Sequence, residues 1–581
     1  MSYIKELENK INEHVIKAGY NDTVTLSTSN RKDLGEFQVN DAMRFAKIYH
    51  KNPIEIANDI KKELDNDELL TNINIAGSGF VNISLSDKAL ITYMNEIKDD
   101  VYKNIDKMDS KTIMLDYGGA NVAKALHVGH LRSANIGEAL KRLANTLGHK
   151  TISDVHLGDS GLQAGLVVLE MKERYKDLIC FKEDYNGEDF DLPITKEDLK
   201  DIYPTASRKS KEDEDFLNEA RKITCEIQKN NIRYSKLWDK ISELSIEDIK
   251  ETYERLNDTF DLWLGERDSL KYIPELFELL NKENLVYESE GALVMDVKEE
   301  TDDKEMPPVL LRKSDGAYLY ATTDLATIYQ RVKDYKPDEI WYITDLRQEL
   351  HFTQIFRAAR LSKLVDENTS LGFFGFGTMN GTDGKPFKTR NGGVMPLDEL
   401  INLIKEECLK RLNTNIVEED KREQVSEELA IGALKYADLL PYRSTDYIFD
   451  PAKFSDLDGK TGPYLLYSTI RMKSLLKKAH QENIEYKNYT TIKNSSDREV
   501  ILTLLMLPNV LKRAYETKSL SEVAEYIYKL TSAYNKFYSE NKVISEDDKN
   551  LRESWLVLSN VVYNTNSLLL DMMGINCPEK M

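Results

Sequence analysis

Cysteine is scarce and scattered in this 581-residue chain, with Cys180, Cys225, Cys408 and Cys577 as its four examples. No Cys-x-x-Cys occurs and no histidine set accompanies any of them, so neither a disulfide framework nor a structural zinc site is expected. Long apolar runs are missing too: none approaches the roughly 20 residues that span a bilayer, and no membrane partner is expected. The opening Met1-Ser-Tyr-Ile-Lys-Glu-Leu-Glu lacks the basic start and apolar centre of a secretory leader, which makes the cytoplasm the expected compartment. There is no internal repeat and no low-complexity segment. An overall basic excess is also absent, the net charge being −21, yet from Asp456 onward 17 Lys+Arg face 16 Asp+Glu. The acidic excess therefore lies before that point, where it favours solubility without opposing a local basic path for a polyanion. At this length the chain should divide into about three or four domains of ~100–200 residues.

What is present is concentrated around two histidines. Lys111-Thr-Ile-Met-Leu-Asp116 has the apolar, β-branched character of a short buried strand, and Leu131, Ile136, Leu140 and Leu143 repeat at helical spacing. Between them, His127-Val-Gly129-His130 stands where the helix opens. A helix N-terminus offers unpaired N–H groups and the positive end of the helix dipole to phosphates, and glycine allows close approach to the backbone. Two imidazoles there can donate hydrogen bonds to a triphosphate under attack. Taken alone the residues also fit capping or core histidines, or metal ligands at i and i+3.

Along the chain, Ile73-Asn-Ile-Ala-Gly77-Ser-Gly79-Phe80-Val-Asn-Ile-Ser-Leu alternates apolar and polar residues around a glycine turn, which places an α+β module in residues 1–105. Strand and helix patterns then alternate from Lys111 to Gln163, as in a doubly wound parallel sheet. A charged, helically spaced insertion follows at about 170–265, with Tyr185-Asn-Gly-Glu-Asp189 and Tyr203-Pro-Thr loop-like within it. Strand-like patterns return at Ala292–Asp296, Val309–Leu311, Tyr318–Tyr320 and Glu339–Ile343. The expected α/β catalytic domain covers 106–455. Long helical periods at Val425–Leu440, Thr461–Lys478, Val500–Tyr515 and Leu520–Tyr538 predict an all-α bundle over 456–581.

Asn121-Val-Ala-Lys124-Ala-Leu-His127-Val-Gly129-His130-Leu-Arg132-Ser resembles the first signature of class I aminoacyl-tRNA synthetases, specifically its arginyl form. The resemblance runs from about Ile73 to Met581 and includes Thr461-Gly-Pro-Tyr464-Leu-Leu-Tyr467, Asn535-Lys-Phe-Tyr538 and the terminus from Leu568 to Met581. It implies a Rossmann-like catalytic domain, an N-terminal domain that touches tRNA and a helical anticodon-binding domain. It further implies ATP with Mg²⁺, L-arginine and tRNA(Arg) as substrates, no zinc, and a monomer. The implied reaction forms arginyl-adenylate and then passes the arginyl group to the terminal adenosine of the tRNA. Two other readings stay open: a class I synthetase for another amino acid, and a catalytically silent RNA-binding paralogue.

The resemblance also names residues. His127, Gly129 and His130 would meet the ATP phosphates and Lys124 the forming adenylate. The five-residue Lys-Met-Ser-Lys-Ser loop of the class is absent. Gly381-Thr-Asp-Gly384-Lys385-Pro-Phe-Lys388-Thr-Arg390 stands in its place, with Lys385 and Lys388 the candidates for pyrophosphate. A guanidinium is planar, permanently charged and carries five donors, so a selective pocket needs carboxylate and further acceptors. Tyr320 and Asp324, four residues apart at a helix start, match the family's guanidinium pair, and Gln348 matches a pocket glutamine. For the substrate's α-amino and carboxylate groups Asn121, Asp154, His156 and Gln163 are all open. Three departures stand out: Ser160 where the family usually has tryptophan, Val155 where other arginyl enzymes have asparagine, and Arg267 where the family has serine.

Overall fold

The computed structural model describes every residue except 30, 32, 315, 386, 388–394 and 413–415. Its N-terminal module is built on an antiparallel sheet in the order Leu26–Thr28, Phe37–Val39, Phe80–Leu85, Leu70–Ala76. Helices Tyr3–Lys17 and Pro53–Leu64 pack on each other and bury Leu7, Ile11, Ile56 and Ile60. The hairpin turns through Gly77 and Gly79, both at positive φ (57° and 115°). A β-carbon on Gly79 would stand 2.9 Å from the Pro53 carbonyl oxygen, so this turn needs glycine twice over.

The catalytic sheet is parallel throughout, in the order Ser370–Phe373, Glu339–Tyr342, Thr112–Asp116, Lys150–Asp154. Ile113, Met114 and Leu115 are fully buried, as a strand covered on both faces requires. Helix Val128–Thr146 follows the first strand. It approaches so closely that a β-carbon on Gly137 would fall 2.1 Å from the Tyr117 side chain. The charged segment does form helices, at Lys196–Glu212, Glu214–Gln228 and Ile232–Arg255. They lean on helix Leu162–Arg174, where Gly165 leaves room for the Ala220 carbonyl.

Three details differ from the sequence-based expectation. Ala292–Met295 and Val309–Arg312 are strands, but they join Val286–Ser289 in a small separate antiparallel sheet. Tyr318–Tyr320 is not a strand: Leu319 is the extended N-cap residue of helix Tyr320–Tyr335, whose demand for a helical first turn overrides three alternating residues. The period from Val500 to Tyr515 is carried by two helices, Ser495–Leu505 and Leu507–Thr517. Pro508 has no N–H to give the preceding turn and sits in the first turn of the second helix, where none is needed.

The other long bundle helices are Gly462–Gln481, Ser521–Glu540 and Lys549–Met572, and helix Arg422–Leu439 of the catalytic part packs on the first of them. The bundle is tied to both other parts by charge. Arg498 bonds Glu36 at 2.7 Å and Asp87 at 2.9 Å in the N-terminal module. Arg142 of the catalytic helix Val128–Thr146 reaches Asp571 of the bundle at 2.9 Å. Within the catalytic part, Lys435 meets Asp258 at 2.6 Å with neither side chain exposed.

Candidate active site

The two histidines cap the helix they open. His127 is the N-cap residue and its Nδ1 accepts from the Gly129 N–H at 3.0 Å, while the His127 N–H donates to His130 Nδ1 at 3.1 Å. The rings stack with centroids 3.9 Å apart. A β-carbon on Gly129 would lie 2.8 Å from His127 Cε1, so the glycine makes space for the folded-back ring. Because both Nδ1 atoms accept, both protons sit on Nε2, and each ring presents one N–H donor at the helix N-terminus. Burial, aided by neighbouring His127 and Lys124, lowers the His130 pKa to about 3; burial and then Lys124 lower that of His127. The pair is therefore neutral at physiological pH and donates without carrying charge.

Two loops converge on Gly158. Val122 N–H donates to the Gly158 carbonyl at 3.0 Å and Gly158 N–H to the Ala120 carbonyl at 2.9 Å, while the Gln163 amide donates to the same Gly158 carbonyl. The Asn121 side chain packs over Gly158, where a β-carbon would come within 2.5 Å of its Oδ1. Asn121 and Gln163 thus stand together at the mouth of the sheet. Asp154, expected among the arginine ligands, lies beneath that mouth. It is fully buried and its Oδ2 takes a hydrogen bond from Arg331 at 2.8 Å, while the same guanidinium nitrogen bonds Asp116 at 2.7 Å. Its Oδ1 is also 3.3 Å from the Leu264 and His156 N–H groups, so both carboxylate oxygens are engaged within the protein. His156 sits at φ 43° with Nδ1 3.8 Å from Asp154.

Tyr320 and Asp324 share the first turn and a half of helix Tyr320–Tyr335, as their spacing implies. Tyr320 is 66% exposed, and Asp324 Oδ2 is 2.6 Å from His351 Nε2. Gln348 is exposed at the turn leading into the helix that carries His351. One acidic group here escaped sequence reasoning. Glu266, held by the Ser160 hydroxyl at 2.6 Å, has its pKa raised by burial and then by neighbouring Asp324, and it in turn raises that of Tyr320. The neighbouring Arg267 stands out as a departure from the family, but nothing in the spacing points Glu266 at residues 54 to 58 positions later.

Beside it, Asp159 accepts from the Arg267 N–H at 3.0 Å, and burial raises its pKa to about 7. Arg267, standing where the family has serine, also bonds Asp239 at 2.6 Å. Folded Asp159 holds a proton between pH 4 and 7 that the unfolded chain has released, so its contribution to stability falls as pH rises through that window. The slope is about 1.4 kcal/mol per pH unit. His130 acts in the opposite sense below about 6.5, where the unfolded chain binds a proton that the buried ring refuses. Asp159→Asn should thus become progressively more stable than the parent from pH 4 to 7. Denaturant midpoints of both chains at pH 5 and 7.5 check this; a constant difference would place the proton elsewhere.

The cationic loop begins with a tight turn in which Gly381 N–H donates to the Lys385 carbonyl at 2.8 Å, leaving Lys385 exposed. Lys388 lies outside the described residues. The far end of the loop is stitched to the histidine motif: Leu397 N–H donates to the Leu126 carbonyl at 2.9 Å and Val128 N–H to the Met395 carbonyl at 3.3 Å. Among the described residues no group of three or more His, Cys, Asp or Glu is disposed to hold a metal ion.

A parallel sheet whose first strand leads through His-x-Gly-His into a helix, with a lysine loop anchored to that same helix start, defines a class I tRNA synthetase catalytic domain. Sequence comparison agrees: the profile for tRNA synthetases class I (R), catalytic domain, matches residues 92–451. The arginyl tRNA synthetase N-terminal domain matches 5–85 and the DALR anticodon binding domain 465–581. The arginine–tRNA ligase of Alkaliphilus oremlandii is 43% identical, over 100% of this chain and 99% of its own length. That of Agathobacter rectalis is 43% identical with 100% of both chains covered. In fold, the arginyl-tRNA synthetase of Plasmodium falciparum superimposes with a TM-score of 0.81 at 24% identity, covering 100% of each chain. The chain belongs to the arginyl-tRNA synthetase family.

Proposed function

We propose that this chain ligates L-arginine to tRNA(Arg) at the expense of ATP, through the residues gathered around the sheet mouth. The observation that carries the reading is the pairing of a two-donor histidine cap with an acidic, tyrosine-bearing pocket across the same opening. In the first step an arginine carboxylate oxygen attacks the α-phosphorus of ATP; the bond to the bridging oxygen breaks and pyrophosphate leaves. In the second, the 2′-hydroxyl of the terminal adenosine attacks the arginyl carbonyl and AMP departs. Neither step needs a covalent enzyme intermediate, so the protein contributes positioning and charge.

The Nε2–H groups of His127 and His130 and the free N–H groups of the helix start are donors for the phosphates, with Lys124 beside them at the forming adenylate. Lys385 and Lys388 serve the departing pyrophosphate. Mg²⁺ enters with ATP as part of that substrate. Asp324, Tyr320 and Gln348 receive the guanidinium, joined by Glu266, whose carboxyl is close enough to Asp324 to be felt electrostatically. For the α-amino and carboxylate ends Asn121 and Gln163 are the candidates, a reading supported by their shared contact with Gly158; the pairing of Asp154 with Arg331 counts against that carboxylate as a direct ligand. We further propose a monomer acting in the cytoplasm; no helix among the described residues is long and apolar enough to cross a membrane.

Arginine-dependent ATP–pyrophosphate exchange, measured with and without cognate tRNA, tests the reading. Exchange with arginine alone among the amino acids is expected, with strong stimulation by tRNA, because tRNA that binds the activation-competent enzyme better than the idle one shifts the population toward it. Exchange with another amino acid, or none under any condition, would overturn the assignment. Full exchange without RNA would remove only the coupling. Within the pocket, Asp324→Asn is expected to lower kcat/KM for arginine by roughly 2–4 kcal/mol in activation terms while ATP binding persists. Unchanged arginine kinetics in that variant would place the guanidinium elsewhere.

A further inference from the structure

The helical insertion carries none of the signature residues, yet its side chains grip both loops that do. Ser245 Oγ accepts from the Ala123 N–H at 2.8 Å, holding a non-glycine residue at φ 60°. That left-handed backbone is the turn that presents Lys124, and it is unfavourable for a residue with a β-carbon. On the second loop, Trp238 Nε1 donates to the Asp159 carbonyl at 2.9 Å and Gln228 Nε2 to the Ser160 carbonyl at 2.9 Å. Tyr253 Oη donates to the Gly118 carbonyl at 3.0 Å. A further contact is Tyr203, half-buried in helix Lys196–Glu212, whose ring centroid lies 4.7 Å from Lys124 Nζ.

The kind of contact matters. Among the described residues Lys124 makes no ion pair; the face of Tyr203 is what holds its ammonium. A carboxylate in that place would fix the side chain but cancel the charge, and would repel an incoming phosphate. An aromatic face attracts a cation through its quadrupole and leaves the net charge intact. The ammonium is also beside the histidine pair, since it is one of the causes that keep both rings neutral. Tyr203 is near enough to Tyr320, on the arginine side, to contribute to the rise in its pKa after burial and Glu266. It therefore stands between the nucleotide side and the amino-acid side of the opening.

We infer that Tyr203 is a positioning residue for adenylate formation, holding Lys124 at the histidine pair as an un-neutralised cation ready for the developing charge on the α-phosphate. The inference rests on the proposed function, and in particular on the role of Lys124. The insertion thereby acquires a purpose, because its helices are the rigid frame from which Ser245 fixes the backbone, and Tyr203 the side chain, of one catalytic turn.

The test is a double-mutant cycle on the full chain, reading kcat and KM in arginine-dependent exchange with tRNA present. Tyr203→Leu should lower kcat about tenfold, with KM for arginine near the parental value, and Tyr203→Phe should restore most of the rate because the ring face is kept. In a Lys124→Met background the same Tyr203→Leu change should cost no more than about twofold, since the group through which it acts is gone. An equal loss with and without Lys124 would show a structural role and overturn the inference. So would a Tyr203→Phe variant as slow as Tyr203→Leu, or a Tyr203→Leu variant with parental kcat. Absence of exchange in the parent chain is a different result, which would remove the proposed function itself.

Discussion

His130→Asn is expected to slow arginine-dependent pyrophosphate exchange by about 10²–10³-fold, the usual loss when one preorganised donor to a charged transition state is removed. The choice of asparagine separates chemistry from folding. Its Oδ1 falls near the place of the imidazole Nδ1 and can still accept the His127 N–H that His130 now takes at 3.1 Å. What it lacks is the Nε2–H on the far side of the ring. His130→Gln makes the converse change, reaching as far as Nε2 with its amide but giving up the cap. That variant should keep more of the rate and lose about 0.5–2 kcal/mol of stability. Exchange kinetics, tRNA affinity and denaturant midpoints measured on the three chains decide the matter. Equal losses of rate and tRNA affinity in His130→Asn would make this a structural histidine.

The largest effect on stability is expected from Arg331→Met. Asp116 and Asp154 are register partners at the carboxyl ends of adjacent parallel strands, so their side chains leave the sheet next to each other. One guanidinium nitrogen joins them, at 2.7 and 2.8 Å, and the Arg331 side chain is 1% exposed. Its removal leaves two carboxylates facing each other in a buried place, where breaking one such pair already costs about 3–5 kcal/mol. Adding Asp116→Asn and Asp154→Asn should recover much of the stability, because the charges that lacked a partner are then gone. Denaturation curves of the single and triple variants give the comparison. A single variant within about 1 kcal/mol of the parent would show that water relieves the pair.

The parts that were readable in the sequence are those whose cause is local. The histidine motif needs a strand end, a glycine and a helix start within twenty residues, and all three are written there. The Tyr320 and Asp324 spacing likewise depends on one turn of one helix. The pairing of Asp154 could not be read because its partner Arg331 is 177 positions away and stands on a helix, not on a neighbouring strand. Glu266 was hidden for a related reason: it becomes a pocket residue only when its loop crosses the strand ends, where Leu157 N–H donates to the Leu264 carbonyl at 2.8 Å. The division of the 500–515 period was available in Pro508, a local signal outweighed by an uninterrupted apolar repeat. Tyr203-Pro-Thr reads as a loop, yet Pro204 stands inside helix Lys196–Glu212, which carries Tyr203 to Lys124.

The strand order has a consequence for how the chain is made. Thr112–Asp116 needs Glu339–Tyr342 along one edge, and the register joins Glu339 to Ile113. At about 5–20 residues per second, the ribosome delivers that partner roughly 10–45 s after the first strand has been synthesised. Throughout this interval a strand with the apolar centre Ile113-Met-Leu115 is exposed along one side, a template for pairing with a neighbouring nascent chain. The acidic ends of the same strand and its first partner, Asp116 and Asp154, await Arg331 for nearly as long, and until then their mutual repulsion disfavours that first pairing. The helices of the insertion, which depend on nearer contacts, can form meanwhile beside the unfinished sheet. The nascent polypeptide thus completes its scaffold of helices before it closes its sheet, and its most aggregation-prone moment falls in the middle of translation.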